Sequence, residues 1–439
     1  MTTVESQGRV VRIGVLGCGN VGAAFVRLVE QQSSVIEQRT GVRLEIVSVA
    51  VRNMSRDRDV QLSEGLLTRD AHSVVADPNV DLVVEVIGGI EPAKSWIKLA
   101  LNSGADVVTA NKALIAAHGP ELFDLAEQLG AQLYFEAAVA GAIPIIRPLR
   151  ESLAGDKINR VMGIVNGTTN FILDRMESSG AEFDDALQLA KELGYAEADP
   201  TADVEGFDAQ SKAAIIASLA FHSEVSVDSV YREGITGIGS KQIDAARSAG
   251  YAVKLLAICE RAEKDGQEGL VVRVHPTLIP LEHPLASVRG AYNAVFVEAE
   301  SAGQLMFYGA GAGGPETASA VLGDLVSAAK RHLAGGPGLA DSTHADLTVF
   351  SVQSVVTRFQ ITLEVSDETG VLASIASVFA DNGVSVETVQ QSPARQDAAA
   401  VLTVMTHVAK ESDLEQVVSA LRENKSVVNV TSVIRVEGL

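Results

Sequence analysis

Val10-Val11-Arg12-Ile13-Gly14-Val15-Leu16-Gly17-Cys18-Gly19-Asn20-Val21-Gly22 decides how this chain begins. The first seven residues are a mostly β-branched run that suits a buried parallel strand. They pass directly into G-x-G-x-x-G, and a helical pattern follows over 23–32. In that setting each glycine has a task. Gly17 permits the tight turn, Gly19 lets backbone approach a pyrophosphate, and Gly22 lets the helix pack on the strand. The phosphates then rest on the helix N-terminus, where unpaired N–H groups favour an anion. The stretch predicts a dinucleotide-binding βαβ unit at the start of an α/β domain.

Working outward, a second strand is expected over 44–50. An acidic residue at its end would hold the ribose hydroxyl of NAD, but Val51-Arg52-Asn53 follows, with Arg56 and Arg58 close behind. Nothing there repels a 2′-phosphate and Arg52 can pair with one, so NADPH is favoured over NADH unless Arg52 is only a surface residue. A third strand is expected over 81–87, ending at Gly88-Gly89, then a helix over 93–101. The strand 106–109 runs into Ala110-Asn111-Lys112. A lysine at the carboxyl end of a parallel strand points at the ligand crevice of an open α/β sheet, the plainer alternative being a solvent lysine that opens a helix. The strand 133–136 leads into the small-residue loop 137–144, whose carbonyls either cradle a monovalent cation or merely make a tight connection.

Beyond Pro148 the pattern changes. Asn166-Gly167-Thr168-Thr169-Asn170 is a polar turn opening a helix, and a second helix over 183–193 ends at Gly194, a C-cap glycine. Then Glu197, Asp199, Asp203, Glu205 and Asp208 precede Lys212 and the apolar run 213–219. On a helix, Asp208 and Lys212 share a face, and a lysine beside carboxylates carries a proton it can hand over. The bland alternative is a solvated acidic loop with one more surface ion pair. Strands are expected over 253–259, 270–274, 294–298 and 305–308, a mixed sheet covered by helices. The glycine-rich 309–314, before a helix over 316–332, either returns the chain to the nucleotide or serves as a hinge. His222, His275 and His283 match no metal-ligand spacing.

The 439 residues suit about three domains. With 35 basic against 56 acidic residues, a net charge of −21 argues against nucleic acid or an anionic membrane as partner. No apolar run is long enough to span a bilayer, the N-terminus lacks a signal-peptide core, and two cysteines fit a reducing cytoplasm.

The glycine fingerprint, Thr109-Ala110-Asn111-Lys112, Asn166 to Asn170, and Gly194-Tyr195 through Asp208 and Lys212 occur in one order. The chain closely resembles homoserine dehydrogenase in its long bacterial form, over residues 10 to 439. That resemblance implies interconversion of aspartate 4-semialdehyde and homoserine with NADP or NAD, on the branch towards threonine, methionine and isoleucine. It implies Lys212 as proton donor, Glu197 and Asp208 as residues binding the amino acid, and Lys112 at the edge shared by cofactor and substrate. Asn20 and Val21 look like cofactor-loop contacts, and Gly194 and Gly313 match nicotinamide-side positions. The loop after Glu136 is similar to the family's sodium site, with carbonyls from Val139, Gly141 and Ile143.

At the other end, Ala334-Gly335-Gly336-Pro337-Gly338 reads as a linker, and the remainder predicts βαββαβ, a ferredoxin-like order. The turn Asp367-Glu368-Thr369-Gly370-Val371-Leu372 resembles an ACT regulatory domain, which binds amino acids at paired modules. Threonine is the expected effector and a homo-oligomer, dimer or tetramer, the expected assembly, the alternative being an oligomerisation module without ligand. The expected architecture is a Rossmann nucleotide-binding domain (1–148), an α+β substrate and dimerisation domain with a mixed sheet (149–333), a linker (334–349) and the ACT domain (350–439). Two rivals stand beside it. A phosphoglycerate dehydrogenase type would use a histidine paired with a glutamate and an inserted nucleotide domain. A non-catalytic amino-acid sensor would keep the fold without the reaction.

Overall fold

The computed structural model describes residues 9–335, 343–392 and 400–438. Most of the glycine-rich linker motif, the N-terminal eight residues and the expected first residue of the third C-terminal strand, at 399, lie outside the described residues. The chain opens with β1 (Arg9–Leu16), α1 (Asn20–Thr40), β2 (Val42–Ala50), β3 (Leu67–Thr68) and α2 (Ala71–Val75). It continues with β4 (Leu82–Glu85), α3 (Ala93–Asn102), β5 (Asp106–Thr109), α4 (Lys112–Leu129) and β6 (Leu133–Tyr134). All six strands are parallel, in the order β3-β2-β1-β4-β5-β6. This doubly wound order has its switch point between β1 and β4, beside the glycine turn.

Two boundaries differ from the expected ones for identifiable reasons. The first helix runs on to Thr40 because its polar second half holds no helix breaker. Gly41, at φ +71°, then stops it by donating its N–H to Glu37 O at 2.8 Å. The third long strand ends at Glu85: Val86 N–H still donates to Leu16 O at 2.9 Å, but those of Ile87 and Gly88 leave the ladder and donate to the buried Glu85 carboxylate, at 2.8 and 3.2 Å.

The middle of the chain forms β7 (Ile158–Ile164), α5 (Gly167–Ser179), α6 (Phe183–Glu192), α7 (Thr201–Val204) and α8 (Phe207–Phe221). Then come β8 (Tyr231–Arg232), α9 (Ser240–Ser248), β9 (Tyr251–Lys264), β10 (Gln267–Pro280), β11 (Tyr292–Ala299), β12 (Gly303–Ala310) and α10 (Gly314–Ala334). The hairpin β9–β10 is longer than its apolar stretches. Asp265 and Gly266 both take positive φ, +55° and +78°, so a two-residue turn keeps polar residues in register out to Gln267 opposite Lys264. The C-terminal part holds β13 (Thr348–Val349), β14 (Val356–Val365), α11 (Val371–Asp381), β15 (Val386–Ser392), β16 (Ala400–Thr406), β17 (Ala409–Lys410), α12 (Glu411–Glu423) and β18 (Val427–Val436). Its main strands lie in the ferredoxin-like order β18-β14-β16-β15. Phe359, Ile361 and Leu363 pack there against Ile375, Phe379, Leu414 and Leu421 of the two helices.

The chain divides into two compact units. One comprises Met1–Ile158, Ala214–Val227 and Asn293–Asp346, and the other Asn159–Ala213, Asp228–Tyr292 and Leu347–Leu439. In the first, α10 lies against α1, so that Ala318, Val321 and Leu325 join the β1 residues Val11, Ile13 and Val15 and the α1 residues Phe25 and Val29 in one core. In the second, β7-β9-β10-β18-β14-β16-β15 follow one another in a sheet, β18 running parallel to β10 with Arg435 opposite Thr277.

The far end of α10 is pinned by an ion pair. His332 Nδ1 lies 2.9 Å from Asp106 Oδ2, and Asp81 is 3.6 Å away. The bond to Asp106, opposed by partial burial, raises the imidazole pKa above its ordinary 6.5. A raised cation stabilises the fold fully below the unfolded value and loses that contribution as pH rises through the folded one. Urea unfolding of His332→Gln should show a deficit of up to about 1 kcal/mol near pH 6 that shrinks near pH 8.5. An equal deficit at both pH values would refute this assignment.

Candidate active site

The glycine turn is built as its spacing requires. Gly17 sits at φ +103°, beyond the reach of most side chains. A Cβ on Gly22 would stand 2.3 Å from Gly17 O, so helix and turn touch here. A Cβ on Gly19 would meet nothing within 4 Å, which leaves open space where a pyrophosphate belongs. Above the turn lies a cleft of ≈ 490 Å³ lined by Gly17, Cys18, Gly19, Arg52, Arg56, Arg58 and Arg69, with Ile87 and Trp96 as apolar wall. Arg58 is spent on the loop itself, donating to the carbonyls of Asn53, Met54 and Arg56. Arg52, Arg56 and Arg69 are exposed, and no carboxylate among the described residues lines this cleft. Sequence reasoning misses Arg69. It reaches the cleft because β3 pairs with the end of β2, Thr68 opposite Ala50. The residues present therefore fit a dinucleotide.

The remaining residues of this unit fall around the same strand ends. Thr109 Oγ1 donates to Glu85 at 2.5 Å, and Asn111 donates to Gly89 O at 2.6 Å while capping α4 through Leu114 N–H. Lys112 follows as the first, exposed residue of that helix. The second glycine loop does return to the first. A Cβ on Gly314 would come within 3.2 Å of Asn20 O, and Gly313, at φ +135°, precedes α10. Glu136 is buried, its carboxylate accepting the N–H groups of Ile146 and Arg147 at 2.7 and 2.9 Å. The loop behind it, with Val139, Gly141 and Ile143, turns at Gly141 (φ +58°), whose backbone lies against Gly311. Asp324, held by Arg147 at 2.9 Å and by Glu136 N–H, is raised by burial to about 7.

In the other unit the acidic stretch resolves into distinct parts. Asp199 accepts the Thr201 N–H and Oγ1 in the turn before α7, and those bonds lower its pKa, so it serves the turn. Gly206, at φ +81°, breaks the chain before α8 begins at Phe207. Asp208 and Lys212 then meet on one helix face, Nζ 2.7 Å from Asp208 Oδ2, both residues less than a tenth exposed. Lys212 Nζ also donates to Val165 O at 2.7 Å, at the end of β7. An ammonium has three donors, so among the described residues one is left for another acceptor. Asn166, the N-cap of α5, locks the arrangement by donating from Nδ2 to Asp208 at 2.9 Å and to Asp203 at 2.6 Å. Sequence reasoning reads Asn166 only as part of the polar turn that opens α5, and Asp203 only as one of the carboxylates ahead of Lys212, with no separate site role for either.

The other asparagine of that motif serves the fold. Asn170 donates to Gly290 O and Tyr292 O and accepts from Lys254, a fully buried lysine lowered to about 8 by desolvation. Gly194, at φ +78°, ends the turn after α6. Tyr195 packs on Phe171 at 4.9 Å and accepts from Thr168 Oγ1 at 2.6 Å, and Glu197 follows, exposed.

An open cradle for a dinucleotide and a buried lysine with a spare donor fit an oxidoreductase that reduces a carbonyl. Comparison with known proteins agrees. The sequence matches the homoserine dehydrogenase family over residues 144–326, its NAD-binding domain over 17–136, and the ACT domain over 359–425. A homoserine dehydrogenase of Corynebacterium glutamicum is 52% identical, covering 99% of this chain and 97% of that protein. The crystal structure of a homoserine dehydrogenase from Thiobacillus denitrificans superposes with a TM-score of 0.92 at 39% identity, covering 98% of this chain and 99% of that one. A hyperthermophilic archaeal homoserine dehydrogenase in complex with NADPH superposes with a TM-score of 0.60 at 30% identity, covering 73% of this chain and 97% of its own. The parallel-sheet nucleotide domain, the mixed sheet and the C-terminal ACT fold, with their nicotinamide-dependent redox chemistry, place this chain in the homoserine dehydrogenase family.

Proposed function

We propose that the protein reversibly reduces L-aspartate 4-semialdehyde to L-homoserine with NADPH in preference to NADH, and that Lys212 is the proton donor. The observation carrying this reading is the buried Lys212 ammonium, fixed by Asp208 and Val165 with one donor to spare. When bound, the reduced nicotinamide supplies a hydride to the aldehyde carbon. Negative charge then grows on the carbonyl oxygen, where the lysine stabilises it and delivers its proton. Asp208 holds that ammonium in place, Glu197 and Asp208 orient the substrate's amino group, and Lys112 stands at the edge shared by both ligands. Gly194 and Gly313 supply backbone beside the nicotinamide, and Asn20 and Val21 supply helix N-terminal contacts to the phosphates.

The arginines support the NADP choice. Arg52→Gln combined with Arg69→Gln should raise the KM for NADPH about tenfold or more and leave that for NADH nearly unchanged, the scale of losing charged hydrogen bonds. Equal losses for both cofactors would refute the assignment. A sodium ion is proposed on the main-chain carbonyls of Glu136, Val139, Gly141 and Ile143, since the Glu136 side chain is committed to backbone. The wholly buried Asn293 amide, without a hydrogen-bond partner among the described residues, lies beside Gly311 and supports an extra polar group there.

Threonine is proposed as effector in the C-terminal cleft of ≈ 500 Å³ lined by Ser366, Asp367, Glu368, Gly370, Leu372 and Gln391. Pairing of ACT modules into a homo-oligomer, a cytoplasmic location, a role in threonine, methionine and isoleucine synthesis, and the domain division at 148, 333 and 349 complete the proposal. An assay at the nicotinamide absorbance band tests it, with homoserine and either cofactor, then with threonine added. Turnover with homoserine is expected, faster with NADP and slowed by threonine. Absence of homoserine-dependent turnover would overturn the reading.

A further inference from the structure

Between β8 and α9 runs a loop that touches the start of α8 on one side and β18 on the other. Arg232 donates to Glu205 O and lays its guanidinium over the Phe207 ring, 3.6 Å from the centroid. Ile235 N–H donates to Val204 O at 2.8 Å, and Thr236 Oγ1 bonds Glu205 Oε1 at 3.0 Å. A Cβ on Gly234 would stand 2.4 Å from Val204 O, so the loop is seated on the α7–α8 break without slack. On its other side Glu233 pairs with Arg435 of β18 at 3.0 Å, Tyr231 hydroxyl receives the same guanidinium at 3.3 Å, and Gln242 donates to Thr431 O at 3.1 Å. These contacts flank a cavity of ≈ 540 Å³, so the link depends on a few directed bonds.

We infer that Arg232 is a positioning residue for Lys212, and that β18 of the ACT fold holds it in place through Glu233. The inference rests on the reading of Lys212 as proton donor. Lys212 lies five residues past Phe207, where α8 restarts after the glycine break, so the seat of that first turn sets where the ammonium stands. Displacing a reacting group by about 1 Å is enough to cost up to a hundredfold in rate. Arg435 is itself fixed, its Nε 2.9 Å from the buried Glu411 at the head of α12. Movement of that helix or of β18 therefore has a direct route to the catalytic turn, and an effector bound in the ACT fold acts along it.

The test uses the full-length protein. Arg232→Met should lower kcat with aspartate semialdehyde about tenfold while the KM for NADPH changes less than about twofold, and Arg232→Lys, which still reaches both carbonyl and ring, should recover most of the loss. Glu233→Gln touches neither Glu205 nor Phe207, yet it should speed hydrogen exchange of the amides of 204–212 by about tenfold. Unchanged kcat in Arg232→Met, or faster exchange confined to 231–236 in Glu233→Gln, would overturn the inference. Should Arg232→Met fail to fold, the exchange result decides alone. Should Lys212→Ala keep normal turnover, the proton-donor reading fails, and the exchange result still shows whether β18 controls the turn.

Discussion

Gly19→Val should fold like the parent and bind NADPH about a hundredfold more weakly or worse, whereas Gly22→Val should lose stability before binding can be measured. The contrast follows from what each new side chain meets. At Gly19 the backbone is extended, φ −82° and ψ −154°, with a negative φ that puts no left-handed strain on a side chain, and no protein atom lies within 4 Å of the added Cβ. The added methyls fill only the space reserved for phosphate, and two lost charge-assisted hydrogen bonds at about 1.5 kcal/mol each amount to roughly two orders of magnitude in affinity. At Gly22 the Cβ would overlap Gly17 O at 2.3 Å. Relieving that contact must move the helix from the strand, at a cost of about 1–3 kcal/mol or more. Thermal melts paired with fluorescence titration of NADPH separate the two. Parent-like NADPH affinity in Gly19→Val would mean that the phosphates do not lie on this turn.

Lys212→Ala should cut turnover at least about a hundredfold, the usual scale for losing a general acid, with NADPH affinity little changed. The structure sharpens the expectation. Asp208 keeps the Asn166 amide when the lysine is gone, so the site loses its cation without collapsing. Lys212→Arg should rescue poorly, because the ammonium is gripped by two acceptors 2.7 Å away, with under a tenth of the residue exposed, and a planar guanidinium does not fit that geometry. Near-normal turnover in Lys212→Ala would remove the lysine from the chemistry.

How much of this could be read from the chain alone depends on how local each feature is. The glycine turn, the Asp208 to Lys212 pair and the ferredoxin-like order are written in short-range spacing, and each stands where its pattern places it. Arg69 was not legible, because a two-residue strand carries it to the cleft and so short a strand leaves no period to detect. Asp199 and Asp203 look alike in sequence. The first is spent locally on the turn, on Thr201 two residues on, whereas only tertiary structure turns the second toward Asn166. The segment 231–236, β8 and the loop after it, carries no motif, since its importance lies in what sits on either side of it.

On the proposed mechanism, the Lys212 ammonium meets the oxygen of the reacting carbonyl. A crystal structure of the protein with NADP and homoserine measures this most directly. Lys212 Nζ is expected within about 3 Å of the homoserine hydroxyl oxygen, with Asp208 still paired to it. A productive complex with that oxygen in the grip of another residue and Nζ more than about 6 Å away would contradict it.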